Sequence, residues 1–177
     1  MKQIVVLALF ILFLVACQNA TDNKETKNTE TKTAVAGMYP TTYSSSFEMG
    51  DMSLAEKAVL NSWKNWEANK IDDLKDFLAD SVTILGADGT VFSGKKDSLI
   101  TLWKKVRSDY TSIVDSVAAY TVINSTDKNE QWALIWVTEY STNSKGIKDT
   151  VDYQETWRFN KDGKADMALQ YQRKKKK

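Results

Sequence analysis

The sequence predicts an α+β fold in which three N-terminal helices pack on one face of a curved antiparallel sheet. Three observations carry this. Apolar residues recur at helical spacing only between residues 53 and 110. Four long stretches rich in Val, Ile, Thr, Tyr and Trp follow. The breaks between those stretches are short turn signals, Asp127-Lys128-Asn129, Asn143-Ser144-Lys145-Gly146 and Asn160-Lys161-Asp162-Gly163.

The elements follow in order. Ser53-Leu54-Ala55-Glu56 is a capping box, so a helix is expected to start there. Ala55, Val59, Ser62, Trp63 and Trp66 then form one stripe, while Lys57, Lys64 and Glu67 face water. Trp63 reads as core; Trp66, nearer the helix end, reads equally as core or pocket wall. A short second helix is marked by Asp72 and Asp73 in its first turn and by Ile71, Leu74, Phe77 and Leu78 on one side. Residues 80–85 form a strand, turned by Asp88-Gly89 into Thr90-Val91-Phe92. A third helix carries Leu99, Leu102, Trp103, Val106 and Tyr110 on one face. Strands are expected over 112–124, 131–142, 147–159 and 164–172.

At 177 residues, 20.0 kDa and 42% hydrophobic content, the chain holds one ordinary domain with extensions. It contains no histidine and one cysteine, Cys17, which excludes an imidazole base, a histidine-bound metal, a Cys-His nucleophile and an internal disulfide. No cofactor is called for. The aspartates at 72, 73, 76 and 80 spread around a helix and read as surface charge, not as a metal cluster.

Residues 1–17 read as a targeting segment: Lys2, an apolar run from Ile4 to Val15, then Leu14-Val15-Ala16-Cys17. This resembles a bacterial lipoprotein signal with its lipobox. The run is shorter than the roughly 18 residues of a spanning helix, which favours cleavage. Acylation of Cys17 with palmitate-type chains, each buried CH₂ contributing about 0.8 kcal/mol, would anchor the mature chain to a membrane of the cell envelope. Gln18 is not the aspartate retention signal of enterobacteria, which points to the outer membrane over the inner where that rule holds. Residues 18–51, rich in Thr, Asn, Lys, Glu and Ser, read as a disordered tether, although Tyr39, Tyr43 and Phe47 are also suited to dock on the domain. The folded domain is placed at 52–173 and a basic tail at 174–177. Without Lys2 and the five cationic residues Arg173 to Lys177, 18 basic residues face 23 acidic ones, so nucleic acid is not an expected partner.

Several segments resemble the nuclear transport factor 2-like superfamily, and its SnoaL-like branch in particular. They are Trp63-Lys64-Asn65-Trp66, the run from Asp72 to Val82, Ala87-Asp88-Gly89-Thr90-Val91-Phe92-Ser93-Gly94, and the hairpin from Phe159 to Lys164. The resemblance covers about residues 53 to 172. It implies a cone-shaped, cystatin-like fold with a cavity between sheet and helices. Members range from cyclases, dehydratases and isomerases to noncatalytic modules, so it implies no single activity. Histidine-dependent members have no counterpart here, and no catalytic residue is carried over.

Hairpin geometry gives a site. If Ser144-Lys145 is a two-residue turn, Trp136 lies opposite Tyr153, Leu134 opposite Glu155 and Trp132 opposite Trp157. If Asn160 pairs with Lys164 around a glycine bulge, Trp157 meets Met167, Glu155 meets Leu169 and Tyr153 meets Tyr171. One face then holds Trp132, Trp136, Tyr140, Tyr153, Glu155, Trp157, Met167 and Tyr171, and with Trp66 these are the expected ligand pocket. Glu139 falls on the opposite, wet face, as do Arg158 and Asp166, which pair directly. Ala133, Ile135 and Val137 on that face are candidates for a homodimer contact. Glu155, a lone carboxylate among aromatics, is the candidate general base, with Tyr140, Tyr153 and Tyr171 to donate hydrogen bonds. Equally it serves as a structural acid. Three readings stay open: a noncatalytic binder of a small apolar or aromatic molecule, a cofactor-free isomerase, cyclase or dehydratase, and a dimerisation or protein-interaction module with a filled cavity.

Overall fold

The computed structural model describes residues 42–174; Cys17, the apolar run before it, Tyr39 and the last three lysines lie outside them. The elements are β1 (Phe47–Met49), α1 (Met52–Ala58), a π-helical segment (Val59–Lys64), α2 (Asn65–Glu67), a 3-10 helix (Ile71–Asp76), β2 (Leu78–Leu85), β3 (Val91–Lys95), α3 (Lys96–Arg107), β4 (Tyr110–Ser125), β5 (Glu130–Asn143), β6 (Lys148–Phe159) and β7 (Ala165–Lys174). All seven strands join one sheet in the order β1-β4-β5-β6-β7-β2-β3, antiparallel throughout except where β2 runs parallel to β7. The helices cover one face of it, as the periodicity predicts.

Where the helical run starts differs by a residue or two from the capping-box reading. Asp51 is the cap: its carboxylate accepts the Ser53 N–H at 2.9 Å and the Ser53 hydroxyl at 2.8 Å. The run then loosens into a π turn, where the Asn61 amide donates to the Lys57 carbonyl at 2.7 Å and the Ser62 hydroxyl to the Ala58 carbonyl at 2.6 Å. Side-chain bonds to backbone carbonyls of this kind disturb regular helix geometry, and the segment carries Trp63 inward. The sheet also begins before Met52. Phe47–Met49 pairs with Ile123–Ser125 at the β4 edge, and Tyr43 packs edge-on against Trp132 with ring centroids 6.3 Å apart. Gly50 permits the passage from β1 into α1, since a Cβ there would collide with the Val122 and Asn124 side chains.

The core lies between the helices and the concave sheet face. Phe77 sits edge-on to Trp157 at 5.0 Å and to Phe159 at 5.9 Å, surrounded by Leu74, Leu78, Leu99, Ile135, Val122 and Ala168. Burying each large apolar side chain here contributes about 1.5 to 3 kcal/mol.

The hairpin registers decide which residues share that concave face, and both correct the sequence reading. Between β5 and β6 the turn holds three residues, not two: Asn143 N–H donates to the Ile147 carbonyl at 2.9 Å, the Asn143 side-chain oxygen accepts the N–H groups of Lys145 and Ile147, and Gly146 takes φ +76°. The pairing therefore slips by one residue. Ala133 lies opposite Trp157, Ile135 opposite Glu155 and Val137 opposite Tyr153. The Asn160–Lys164 turn is built as expected, with Gly163 at φ +66°. A bulge beyond it sets Phe159 against Ala165 but Arg158 against Met167, so Ala168 faces Trp157, Gln170 faces Glu155 and Gln172 faces Tyr153.

Trp132, Trp136, Tyr140, Met167 and Tyr171 consequently stand on the outer face, opposite the expected pocket. There Trp132, Leu134 and Trp136 form one apolar column and Met167, Leu169 and Tyr171 another, with Arg158, Thr156 and Gln154 between them. Arg158 Nε donates to Asp166 at 2.8 Å, the contact expected of this pair. Ala133, Ile135 and Val137, read as candidates for an intermolecular contact, are core residues exposed by 3% or less.

Asn143→Ala removes the acceptor of two turn N–H groups and is expected to lower stability by about 1 kcal/mol. Urea unfolding should show this as a lower midpoint at unchanged slope.

Candidate functional site

A cavity of about 330 Å³ lies between the concave face and the helices. Its floor is β6 and β7 through Tyr153, Glu155, Trp157, Ala168, Gln170 and Gln172, with Glu139 from β5. Trp63 and Trp66 come from the first helical run, Leu99, Leu102, Trp103 and Val106 from α3, and Gly86, Ala87, Asp88 and Thr90 from the β2–β3 turn. Leu102, Val106, Asp88 and Thr90 are exposed, so the cavity opens to solvent between α3 and that turn.

Glu155 sits at the bottom, 3% exposed. Trp157 Nε1 donates to its Oε2 at 2.8 Å and the Gln170 amide donates to its Oε1. Burial pushes its carboxyl pKa up, opposed by the Gln170, Trp157 and Trp63 N–H groups. Both oxygens are thus engaged by the protein. The Trp63 indole, stacked at a tilt 5.5 Å from Tyr153, is buried and its N–H meets no acceptor within ordinary hydrogen-bond limits. Burial likewise raises the Tyr153 hydroxyl pKa.

Glu139 is the second acid of the site, and the sequence reading misplaced it. The one-residue slip in β5 turns it from the wet face to the concave one, where it is 7% exposed. Trp66 Nε1 donates to its Oε2 at 3.0 Å, while Oε1 takes no hydrogen bond from the described residues. Burial raises its pKa; the Trp66 N–H and the nearby Arg107 guanidinium pull the other way. Arg107 is itself buried, and donates to the carbonyls of Trp66 at 2.8 Å, Tyr110 at 3.0 Å and Glu67 at 3.1 Å. It thereby adds a donor to the carbonyls at the end of α2 and fixes Trp66, hence Glu139.

Directly opposite Glu139 on β4 stands Asp115. Neither of its carboxylate oxygens has a hydrogen-bond partner, and burial, followed by the charges of Glu139, Glu67 and Glu155, pushes its pKa up to about 8. Among the described residues no three acidic or cysteine side chains are grouped to hold a metal ion.

Of the residues expected in the pocket, Trp66, Tyr153, Glu155 and Trp157 line the cavity; Trp132, Trp136, Tyr140, Met167 and Tyr171 do not. Trp63, read as core alone, is both core and wall. Glu139, Phe92, Trp103, Tyr110, Gln170 and Gln172 complete the lining and were not foreseen there. Trp103 and Tyr110 were legible as one helical stripe, but nothing in that stripe tells a wall from a core.

No family model matches the sequence, and no curated protein matches it. Solved structures do. An NTF2-like protein of unknown function from Exiguobacterium sp. 255-15 superposes with a TM-score of 0.54 at 17% identity, covering 66% of this chain and 98% of that one. The domain has the nuclear transport factor 2-like fold. An LEH-like epoxide hydrolase from M. tuberculosis matches with a TM-score of 0.56 at 12% identity, over 68% of this chain and 84% of its own. RV0760c from Mycobacterium tuberculosis, in complex with estradiol-17beta-hemisuccinate, matches with a TM-score of 0.53 at 18% identity, over 67% and 92%. Enzymes and a ligand-bound protein therefore share this NTF2-like cone, and the likeness extends to fold alone.

The Asp115 pKa gives a pH dependence of stability. Its folded value, about 8, lies above the ordinary carboxylate value of 3.8, so between these two the unfolded chain binds fewer protons than the folded one. The contribution of Asp115 is thus most favourable at low pH and is lost as pH rises toward 8. Asp115→Asn is expected to remove that decline, so that urea midpoints compared at pH 5 and pH 9 change less in the variant than in the parent chain.

Proposed function

We propose that this chain is a lipid-anchored binding protein of the bacterial cell envelope, on the outer membrane, whose domain holds a small apolar or aromatic molecule without transforming it. The observation that carries the binding reading is the aromatic cavity of about 330 Å³, open to solvent, a size suited to a small ligand. The noncatalytic part rests on Glu155. Each Glu155 oxygen already accepts a protein N–H group at the cavity floor, and donors of this kind stabilise the carboxylate and weaken it as a base. The anchor rests on Leu14-Val15-Ala16-Cys17 alone.

A second reading, an acid–base enzyme of isomerase, cyclase or dehydratase type, is favoured by one observation: Oε1 of Glu139 is unengaged and its carboxylate lines the cavity. In that case Glu139, not Glu155, is the base. The exposed Trp136, Tyr140 and Tyr171 on the outer sheet face favour a homodimer in addition to either reading.

Native mass spectrometry of the full chain in nonionic detergent, with denaturing extraction of what co-purifies, is the test. The binding reading expects one small molecule of defined mass, returned unchanged after prolonged incubation with excess ligand, in the parent chain and in Glu155→Gln alike. Conversion of the molecule, lost in Glu139→Gln, would replace it with the enzyme reading. An empty cavity in every preparation would leave an interaction module. Cys17→Ser is expected to abolish acylation and release the protein from membranes; a variant that still fractionates with membranes as a processed chain overturns the anchor.

A further inference from the structure

We infer that the ligand of this cavity is an organic cation, an amine or quaternary ammonium group on an apolar body that also carries an oxygen acceptor. The inference rests on the binding reading above and specifies its chemistry. Its first support is the charge of the walls. Glu139, Glu155 and Asp88 line the cavity, whereas no lysine or arginine among the described residues does. Arg107, the cation that acts on Glu139, gives three of its five N–H groups to backbone carbonyls and is not part of the cavity lining. An anion entering here would meet Glu139 and Glu155. A neutral molecule with no donor would cover the free Oε1 of Glu139 and leave it without a partner.

The second support is the rings. Trp66, Trp103, Tyr110 and Tyr153 line the same cavity as Glu139, and Trp66 donates its N–H to that carboxylate. Aromatic faces around a carboxylate bind ammonium groups by cation–π attraction and by charge together. The third is Trp63, a wall residue whose buried indole N–H leans toward Glu155 without reaching ordinary hydrogen-bond geometry. A ligand oxygen supplies the acceptor that completes it. The cation therefore sits at Glu139 and the acceptor at Trp63.

The groups that interact with Glu139 are Asp115 and Tyr110 on β4, Arg107 on α3, and Asp149, Tyr153 and Glu155 on β6, while Glu67 and Lys64 of the helical run act on its neighbour Asp115. Asp115 and both tyrosines are uncharged at neutral pH, so the acids that count beside Glu139 are Asp149 and Glu155, against Arg107. Binding of a cation favours the ionised form of Glu139, so affinity weakens as pH falls and the carboxyl group takes up a proton.

The test compares two probes of one shape, acetylcholine and its uncharged carbon isostere 3,3-dimethylbutyl acetate, by tryptophan fluorescence titration of the full chain in nonionic detergent. The cation is expected to bind about tenfold more tightly than the isostere. Glu139→Gln should abolish that preference while the isostere still binds, and acidification should erode it in the parent chain. Equal or tighter binding of the neutral isostere overturns the charge inference and leaves the binding reading standing. Binding of neither probe at millimolar concentration also overturns it, while the binding reading fails separately, through an empty cavity in the mass measurement. Should Glu139→Gln misfold, the comparison of probes on the parent chain decides alone.

Discussion

The pairing of β5 with β6 is set at one turn, and the interior depends on it. Asn143 closes that turn with its own N–H and with a side-chain oxygen that accepts two more, and Gly146 absorbs the left-handed backbone that a three-residue loop requires. Because side chains alternate across a strand, a slip of one residue would exchange every inner and outer group of β5. Ala133, Ile135, Val137 and Glu139 would leave the concave face, and Trp132, Leu134, Trp136 and Tyr140 would replace them. Small and branched residues on β5 leave the room into which Trp157, Tyr153 and the helices pack.

Upon that register rests an uncommon distribution of charge. Three carboxylates, from Asp115, Glu139 and Glu155, face the helices, and each meets the cost of burial differently. Glu155 takes two N–H donors, Glu139 takes one and has Arg107 close by, and Asp115 takes none and holds its proton through neutral pH. The aromatic residues serve two purposes here. Trp66 and Trp157 fill volume while their indole N–H groups hold carboxylates in place, so packing and electrostatics are carried by the same side chains.

The fold was largely legible in the sequence because its periods are long and its turns carry their own grammar. Helix positions, strand order along the chain and the Asn160–Lys164 turn follow from spacing and turn chemistry. The site was legible only in part. Tyr153, Glu155 and Trp157 were put on the concave face because β6 was read in the right phase. Trp132, Trp136, Tyr140 and Glu139 were inverted by a single assumption, that Ser144-Lys145 was the whole turn. The corrective signal was present: Asn143-Ser144-Lys145-Gly146 repeats the Asn-x-x-Gly spacing of Asn160-Lys161-Asp162-Gly163, and the two turns close alike. Met167 and Tyr171 were inverted for a different reason. The bulge after Ala165 has no glycine or proline to announce it, and only the contact of Asp166 with Arg158 marks the place. Arg107 could not be read as buried, because its partners are backbone carbonyls, which leave no trace in a residue pattern.

The short strand β1 has a mechanical consequence. The chain reaches the domain at the sheet edge, where Tyr43 grips Trp132 and Glu130, Phe47–Met49 lies along β4, and Gly50 donates to the Val122 carbonyl at 2.9 Å. A pull from the N-terminal side therefore loads this clasp before it reaches α1. Tension directed along β1 is carried by its bonds to β4, so the clasp acts as a strain relief. Forces on the leading segment are delivered to the longest strand of the sheet, and the helices that roof the cavity are spared.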